Sequence, residues 1–218
     1  MDAETTVFVV DGDPASQEVV RDLASAMNLR SEVYASGAEF LDSFDRSRPG
    51  CVVLELQVPG ISGLEIQERL AEERSSLPVI FLTQHADVSI AVEVMRSGAV
   101  HFLEKPFRAN ELWRAIQEAI ELNRKRREAE AWERELGRRI ASLTAKERRV
   151  LTMLSRNKAS KEIAAELNVC VRTVEVHRAN LIRKLDVSSL KELLDIGMLV
   201  RETLRQPAAL EKSFCLSE

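Results

Sequence analysis

Cysteine is rare in this sequence, which has only Cys51, Cys170 and Cys215 among its 218 residues. Because their number is odd and they are scattered along the chain, the cysteines do not suit a disulfide framework. They also lack the close spacing in pairs that a zinc site needs. Free thiols in a reducing compartment are therefore expected. Neither a zinc-binding protein nor a disulfide-rich secreted protein is indicated.

Long hydrophobic runs are also missing. No apolar run approaches the roughly 18 to 20 residues that are needed to cross a bilayer. The first ten residues, MDAETTVFVV, carry acidic residues where a signal peptide has a basic leader. We therefore expect a cytoplasmic protein with no membrane partner, and we interpret the first apolar stretch as a β-strand.

The net charge of −4 hides an uneven distribution of charge along the chain. Residues 1–122 hold 10 Lys and Arg against 21 Asp and Glu, a balance of −11, whereas residues 123–218 hold 21 against 14, a balance of +7. A chain of this length has room for two domains, and the basic half points to a polyanion as its partner. Two ordinarily solvated surfaces would give the same balance of charge, so charge alone does not decide whether the basic half binds a polyanion.

Short apolar runs alternate with helical patterns over residues 5–105. The runs cover residues 6–10, 31–34, 51–54, 78–82 and 100–103. This alternation predicts an α/β domain built of right-handed βαβ units, with a doubly wound parallel sheet that has helices on both faces. Asp13 and Pro14 are typical of a helix start, and Gly98 is a candidate end for the fourth helix.

Residues 110–140 have a long helical pattern in which charge is dense. The apolar stripe breaks at Asn123, so a continuous coiled coil is not supported. Gly137 weakens a helix interior by roughly 1 kcal/mol relative to alanine, which makes it a candidate hinge or helix end. We interpret residues 123–141 as a helical linker between the α/β domain at 1–122 and an all-α domain at 142–206, with an unstructured tail at 207–218.

The pattern from residue 143 onward is helical throughout. Thr144 and Glu147 form a capping box, and Ser188 is a candidate cap for the last helix. Residues 161–184 have the layout of a helix-turn-helix, in which the second, longer helix covers residues 174–185 and leaves polar residues on its outer face. Such a helix can enter the major groove of DNA. A plain helical bundle with a solvated basic face would fit the spacing equally well.

Carboxylates and a lysine follow the predicted strands of the first domain. Asp11 and Glu55 end the first and third runs, Thr83 follows the fourth, and Lys105 follows the fifth. In an open α/β sheet these strand ends share one crevice, which is where ligands bind. A carboxylate nucleophile, acids that hold Mg²⁺, a hydroxyl and a lysine would together make a phosphotransfer site.

Four segments of the first domain carry a resemblance to a known family. VFVVDGDP, CVVLELQVPGISGLEI, VIFLTQHAD and AVHFLEKPF resemble the signature segments of bacterial two-component receiver domains, of the FixJ/NarL-like response regulators. The resemblance covers nearly all of residues 5–122 and implies a (βα)5 receiver fold. Phe102 matches the aromatic switch residue of the family, and Pro106 matches a proline that is commonly held in a cis bond.

The resemblance also implies roles for the crevice residues. Glu55 stands where the family has the aspartate that accepts phosphate. Asp11 and Gly12 stand where it has the acidic pair that holds Mg²⁺. Thr83 and Lys105 match the hydroxyl and the lysine of the family.

Glu55 and Gly12 depart from that pattern. An extra methylene moves the carboxylate by more than about 1 Å, and misplacement on that scale can cost about 100-fold in rate. A glycine supplies no oxygen to a hard cation, and Asp13 is a neighbour of the ligand position in the family register. We expect no enzyme activity, no cofactor, weak or absent Mg²⁺ binding and no phosphorylation. Our hypothesis is that Glu55 reaches toward Lys105 and Thr83 and partly imitates an aspartyl phosphate.

A second resemblance covers about residues 142–200. LTAKERRVLTML, SKEIAAELNV, RTVEVHRANLIRKLDV and SSLKELL are similar to the LuxR-type helix-turn-helix that accompanies FixJ/NarL-like receivers. It implies that residues 171–185 are the recognition helix, with base contacts from Glu175, Val176 and Ala179. The expected DNA-binding residues are Lys161, Arg172, Thr173, Glu175, Val176, His177, Arg178, Ala179 and Arg183, of which Arg172, His177 and Arg178 lie near the DNA backbone.

The expected partners are double-stranded DNA at promoter sites, a second copy of the chain and, by resemblance, a sensor kinase. The family often forms dimers through the fourth and fifth receiver helices, here about residues 88–97 and 110–122, and paired modules suit palindromic DNA. Three alternatives stay open. The crevice could respond to a small ligand or another non-phosphate signal, phosphotransfer could persist in residual form, or the first domain could be a dimerisation scaffold without switching.

Overall fold

The structure is a computed structural model that describes residues 5–45, 47–84 and 87–205. It divides into two compact units at residues 1–130 and 131–218. Within the described residues, no helix combines the length and the apolar character needed to span a membrane. The predicted tail at residues 207–218, with Cys215, lies outside the described residues.

The first unit is a five-stranded parallel sheet in the order β2-β1-β3-β4-β5. The strands are β1 Thr6–Val10, β2 Arg30–Tyr34, β3 Gly50–Leu54, β4 Val79–Thr83 and β5 His101–Glu104. The helices between them are α1 Pro14–Ala26, α2 Gly37–Ser43, α3 Gly63–Glu72 and α4 Val88–Arg96, and α5 Ala109–Ala141 follows β5. The predicted receiver-type (βα)5 fold is confirmed.

β1, β3 and β4 are buried along their whole length because helices cover both faces of this sheet. On one face Phe8 and Val52 pack with side chains of α2, α3 and α4, such as Ile66. On the other face Val7 and Val53 pack with side chains of α1 and α5. Strands that are buried on both faces have continuous runs of apolar residues, and these runs made the strands predictable from the sequence.

The start of α1 follows the sequence prediction, because Asp13 is the N-cap and Pro14 the first helical residue. The Asp13 carboxylate accepts a hydrogen bond from Ala15 N at 3.1 Å. Gly98 follows the C-cap of α4 and has a φ of +98°, a backbone conformation that glycine adopts without strain.

The long helix α5 continues through Gly137 to Ala141, so the expected helix end at Gly137 is wrong. Glu135 pairs with Arg138 and Arg139 across this position, and Leu136 and Ile140 pack against the core of the second unit. These contacts offset the roughly 1 kcal/mol that a glycine costs within a helix.

Asn123 explains why the apolar stripe of α5 breaks. Its side chain is buried, and its Oδ1 accepts a hydrogen bond from Gly50 N at 3.0 Å. Its Nδ2 donates to Ser76 O at 2.9 Å. The polar residue therefore ties α5 to the first residue of β3 and to the segment that precedes β4, and it serves the packing of the first unit.

The second unit is helical, with α6 Ala145–Leu154, α7 Ser160–Leu167, α8 Val171–Leu185 and α9 Leu190–Arg205. Its core packs Val150, Leu151 and Ile163 against Val174 and Leu181. The capping box of Thr144 and Glu147 is present at the start of α6. At the start of α9 the backbone N–H of Glu192 bonds to Ser189 Oγ at 3.2 Å, so the cap is one residue after the predicted Ser188.

Candidate functional sites

Three charged side chains meet in the crevice at the carboxyl ends of the strands. The Nζ of Lys105 donates to Asp11 Oδ2 at 2.6 Å and to Glu55 Oε2 at 2.8 Å. All three side chains are largely buried, with 11% of Lys105, 5% of Asp11 and 10% of Glu55 exposed. One ammonium therefore bridges two carboxylates that come from different strands.

The second oxygen of the Glu55 carboxylate bonds to the backbone that follows it. Glu55 Oε1 accepts from Leu56 N at 2.7 Å and from Gln57 N at 3.4 Å. Asp11 Oδ1 similarly accepts from Asp13 N at 2.9 Å. Each carboxylate thus has one oxygen on the loop backbone and one on the lysine, which fixes its orientation in the crevice.

Lys105 is placed by the end of β4. Its backbone N–H donates to Thr83 O at 2.8 Å, and the Thr83 side chain is fully buried. Burial lowers the pKa of Lys105, but the hydrogen bonds to Asp11 and Glu55 outweigh it and hold the pKa above its usual value. The lysine therefore stays charged, as a buried pair of carboxylates requires.

Gly12 and Asp13 lie in the loop between β1 and α1. A Cβ at position 12 would stand 3.1 Å from Pro59 Cδ, so this loop packs closely against the segment after β3. Asp13 is exposed, and its carboxylate caps α1. Among the described residues, no group of three or more His, Cys, Asp or Glu is placed to hold a metal ion.

Phe102 and Pro106 lie on either side of Lys105. Phe102, on β5, is partly buried against the core that includes α4. The peptide bond between Lys105 and Pro106 is cis. The two residues flank Lys105 in the sequence, and the switch role assigned to Phe102 stays a prediction.

The helix-turn-helix of the second unit consists of α7 and α8. Asn168 ends α7 in the left-handed conformation, with a φ of 52°, and Cys170 precedes α8 without a capping bond from its side chain. Val174, Leu181 and Leu185 are the buried face of α8. Val176, Ala179 and Arg183 lie on its exposed side.

The expected DNA-binding residues divide by exposure. Val176 is an exposed apolar side chain, 53% accessible, in the first half of α8. The other exposed positions are Lys161, Arg172, Glu175, Ala179 and Arg183, and the partly buried ones are Thr173, His177 and Arg178. Arg178 is less accessible than the sequence suggested, because it turns back toward α7 and contacts Ser160 and Glu175.

Sequence reasoning missed two groups in this unit. Ser160, the first residue of α7, bonds to Glu175 of α8. Glu147, on α6, accepts from Lys184 Nζ of α8 at 2.7 Å while it caps α6. The capping box gave a signal for Glu147, but partners on another helix leave no periodic pattern in the sequence.

Comparison with known proteins gives the class of protein. The response regulator receiver domain family matches residues 7–117, and the luxR family of bacterial regulatory proteins matches residues 141–196. The chain belongs to the response regulators that join a receiver domain to a LuxR-type helix-turn-helix. It is accordingly a DNA-binding response regulator.

Individual relatives are similar over most of the chain. The response regulator protein TodT of Pseudomonas putida is 34% identical over 203 residues, which cover 93% of this chain and 89% of TodT. The transcriptional regulatory protein FixJ of Azorhizobium caulinodans is 38% identical over 193 residues, 88% of this chain and 92% of FixJ. A solved structure of the response regulator StyR has a TM-score of 0.80 at 38% identity and covers 89% of this chain and 98% of that one.

Proposed function

We propose that this response regulator controls transcription through a degenerate receiver domain that works without phosphorylation. The observation that carries the proposal is the bridge from Lys105 to both Asp11 and Glu55. In this position the longer Glu55 side chain brings its negative charge to the lysine that would otherwise meet a phosphoryl oxygen. The receiver then holds an active-like arrangement of the crevice at all times.

The donor groups of the crevice do not fit Mg²⁺, which takes near-octahedral oxygen ligands. Gly12 offers no side-chain oxygen, and the Lys105 ammonium already occupies one oxygen of Asp11 and one of Glu55. Asp13 is engaged as the cap of α1. We propose that the receiver needs no metal ion or other cofactor and catalyses no phosphotransfer.

We propose that α8 lies in the major groove of promoter DNA. Glu175, Val176 and Ala179 would face base edges, and Arg172 and Arg183 would hold phosphates. Exposed apolar side chains such as Val176 suit contact with a thymine methyl group. The protein would act in the cytoplasm, where bacterial DNA lies.

We also propose that two copies bind together. Val88, Val92 and Met95 expose apolar surface on α4, with 81%, 44% and 46% accessible. A symmetric pair of helix-turn-helix units matches the two halves of a palindromic site. Light scattering of the protein at micromolar concentration tests this, and a Val92→Glu variant should remain monomeric.

Phosphorylation is tested directly by incubation with acetyl phosphate and Mg²⁺, followed by intact-mass measurement. We expect no added phosphoryl group on the natural chain. The matched control is the double variant Gly12→Asp, Glu55→Asp, which restores both acidic positions and should gain one group. A stable phosphoryl adduct on the natural chain, or one that a sensor kinase installs, would contradict the proposal.

DNA binding is tested in parallel with the same preparations. The natural chain should bind its promoter DNA equally well with and without acetyl phosphate. Glu55→Gln keeps the shape of the side chain but removes its charge, so it should weaken binding or dimer formation. If Glu55→Gln changes neither the oligomeric state nor the DNA affinity, the first domain is a scaffold without a switch.

A further inference from the structure

A polar cluster joins the two helices of the helix-turn-helix on their exposed side. Ser160 Oγ donates to Glu175 Oε1 at 2.6 Å. Arg178 Nη1 donates to Ser160 Oγ at 3.1 Å and to Glu175 Oε1 and Oε2 at 3.1 and 3.3 Å. A hydroxyl, a carboxylate and a guanidinium thus contact one another in a closed triangle.

The two charged members of this triangle differ in their access to a partner. Glu175 is half exposed, with 51% of its side chain accessible, whereas 25% of Arg178 is accessible. The Nε of Arg178 is buried, and no described residue accepts a hydrogen bond from it. Arg178 therefore turns toward the protein, where it supports Glu175, and the Glu175 carboxylate is the group that faces outward.

The neighbours of Glu175 also fix its chemical character. The Ser160 hydrogen bond, together with the charge of Arg178, holds the pKa of Glu175 below its usual value against a smaller effect of burial. An ionised carboxylate can only accept hydrogen bonds. Any base edge that it contacts must therefore offer a donor.

From this geometry we infer that Ser160, Glu175 and Arg178 act as one base-reading unit, in which Ser160 and Arg178 hold the Glu175 carboxylate to accept a hydrogen bond from the amino group of cytosine. Cytosine presents its N4 amino donor in the major groove without an acceptor on the same base edge. Adenine sets its N7 acceptor beside its N6 amino donor, and guanine and the polar edge of thymine present acceptors only, so these edges repel a carboxylate. The inference rests on the proposed placement of α8 in the groove. It changes the expected role of Arg178 from a phosphate contact to a support of base recognition.

Ser160 is then a positioning residue for DNA specificity. Without its hydroxyl, the carboxylate loses its shortest hydrogen bond within the protein and can turn about its side-chain bonds. The charge of Glu175 remains, so DNA binding as such should persist. What falls is the preference for one base pair over another at the position that Glu175 reads.

The experiment measures the full-length protein on its preferred DNA duplex and on every single-base-pair variant of it, by fluorescence anisotropy. The variants are Ser160→Ala, Ser160→Thr, Glu175→Gln and the double variant Ser160→Ala, Glu175→Gln. The matched control is Ser188→Ala, which removes a hydroxyl that bonds to another carboxylate, that of Glu192 at 2.8 Å. Circular dichroism confirms that each variant is folded.

We expect the natural chain to prefer cytosine at one position of each half-site, and Glu175→Gln to reduce that preference by about tenfold, a typical size for a lost base contact. Ser160→Ala should reduce it at the same position by about threefold, since the carboxylate is present but no longer fixed. Ser160→Thr restores the hydroxyl and should restore the preference. The double variant should match Glu175→Gln alone, because the hydroxyl acts only through the carboxylate.

Two results would overturn the inference, and they differ in what else they affect. In the first result, Ser160→Ala has the same base preferences as the control Ser188→Ala, while Glu175→Gln loses the preference for cytosine. The three residues are then not one unit, but DNA binding by α8 stands. If the natural chain binds none of the duplexes at low ionic strength, the proposed function itself fails and the inference fails with it.

Discussion

The pair formed by Glu147 and Lys184 should control the stability of the DNA-binding unit in a pH-dependent way. Glu147 Oε2 accepts from Lys184 Nζ at 2.7 Å and from the backbone N–H of Thr144 at 2.8 Å. Burial raises the pKa of Glu147, but these hydrogen bonds outweigh it and lower the pKa to about 2. The charged carboxylate is therefore favoured in the folded protein.

The size of the stabilisation by this pair follows from the shift in the pKa of Glu147. The pKa falls from 4.5 to about 2, and each pKa unit corresponds to about 1.4 kcal/mol, so the upper bound is about 3 kcal/mol. Lys184 is 28% exposed, which weakens the pair through solvent screening, and about 2 kcal/mol is the working value. Because the folded-state pKa is lowered, this stability is fully present above pH 4.5 and is lost as the pH falls toward 2.

Glu147→Gln is the perturbation that isolates this effect, since it keeps the shape of the cap and removes the charge. Urea unfolding is followed by the fluorescence of Trp132, which belongs to the second unit, in a Trp113→Phe background. The variant should be less stable than the parent by about 2 kcal/mol at pH 7, and the difference should shrink as the pH approaches 2. A difference that does not change with pH would refute the reasoning, because it would then come from shape and not from charge.

Three further outcomes follow from the contacts described above. Lys105→Met should destabilise the first unit by about 3 kcal/mol in thermal unfolding, because two buried carboxylates lose their cation; an unchanged Tm would contradict this. Asn123→Leu should cost about 2 kcal/mol in the same assay, because the N–H of Gly50 and the carbonyl of Ser76 lose their partner, and a Tm equal to that of the natural chain would show that these hydrogen bonds do not stabilise the fold. DNA affinity should fall about 100-fold between 50 and 200 mM salt if about four phosphates are contacted, and a flat salt dependence would argue against α8 as a DNA-binding helix.

The parts of the fold that depend on local chemistry could be predicted from the sequence. The bounds of β1 coincide with the predicted residues 6–10, because a fully buried strand leaves a clear apolar pattern. The amphipathic pattern also predicted the end of α8 at Leu185, whereas its start at Val171 was implied only by the resemblance. The caps at Asp13 and Thr144 were recognisable from the residue types that satisfy the free N–H groups at a helix start.

The parts that depend on contacts between distant segments could not be predicted. The burial of Asn123 depends on Gly50 and Ser76, which are far away in sequence. The inward turn of Arg178 depends on Ser160 at the start of another helix. In the crevice, the sequence supplied the residue types, the sheet edge that they share and the expected approach of Glu55 to Lys105, but only the structure shows that Lys105 also pairs with Asp11.

The close approach of Pro59 to Gly12 has an evolutionary consequence. An aspartate restored at position 12 has to displace the proline ring, because its Cβ would stand 3.1 Å from Pro59 Cδ. That substitution alone also leaves Glu55 bound to Lys105, so it brings strain without a phosphate acceptor. Under the proposed loss of phosphorylation, neither a change at position 12 nor one at position 55 restores the chemistry alone. Descendants of this chain would then regain kinase control only through changes at both positions 12 and 55, with Pro59 shifting by a few tenths of an ångström.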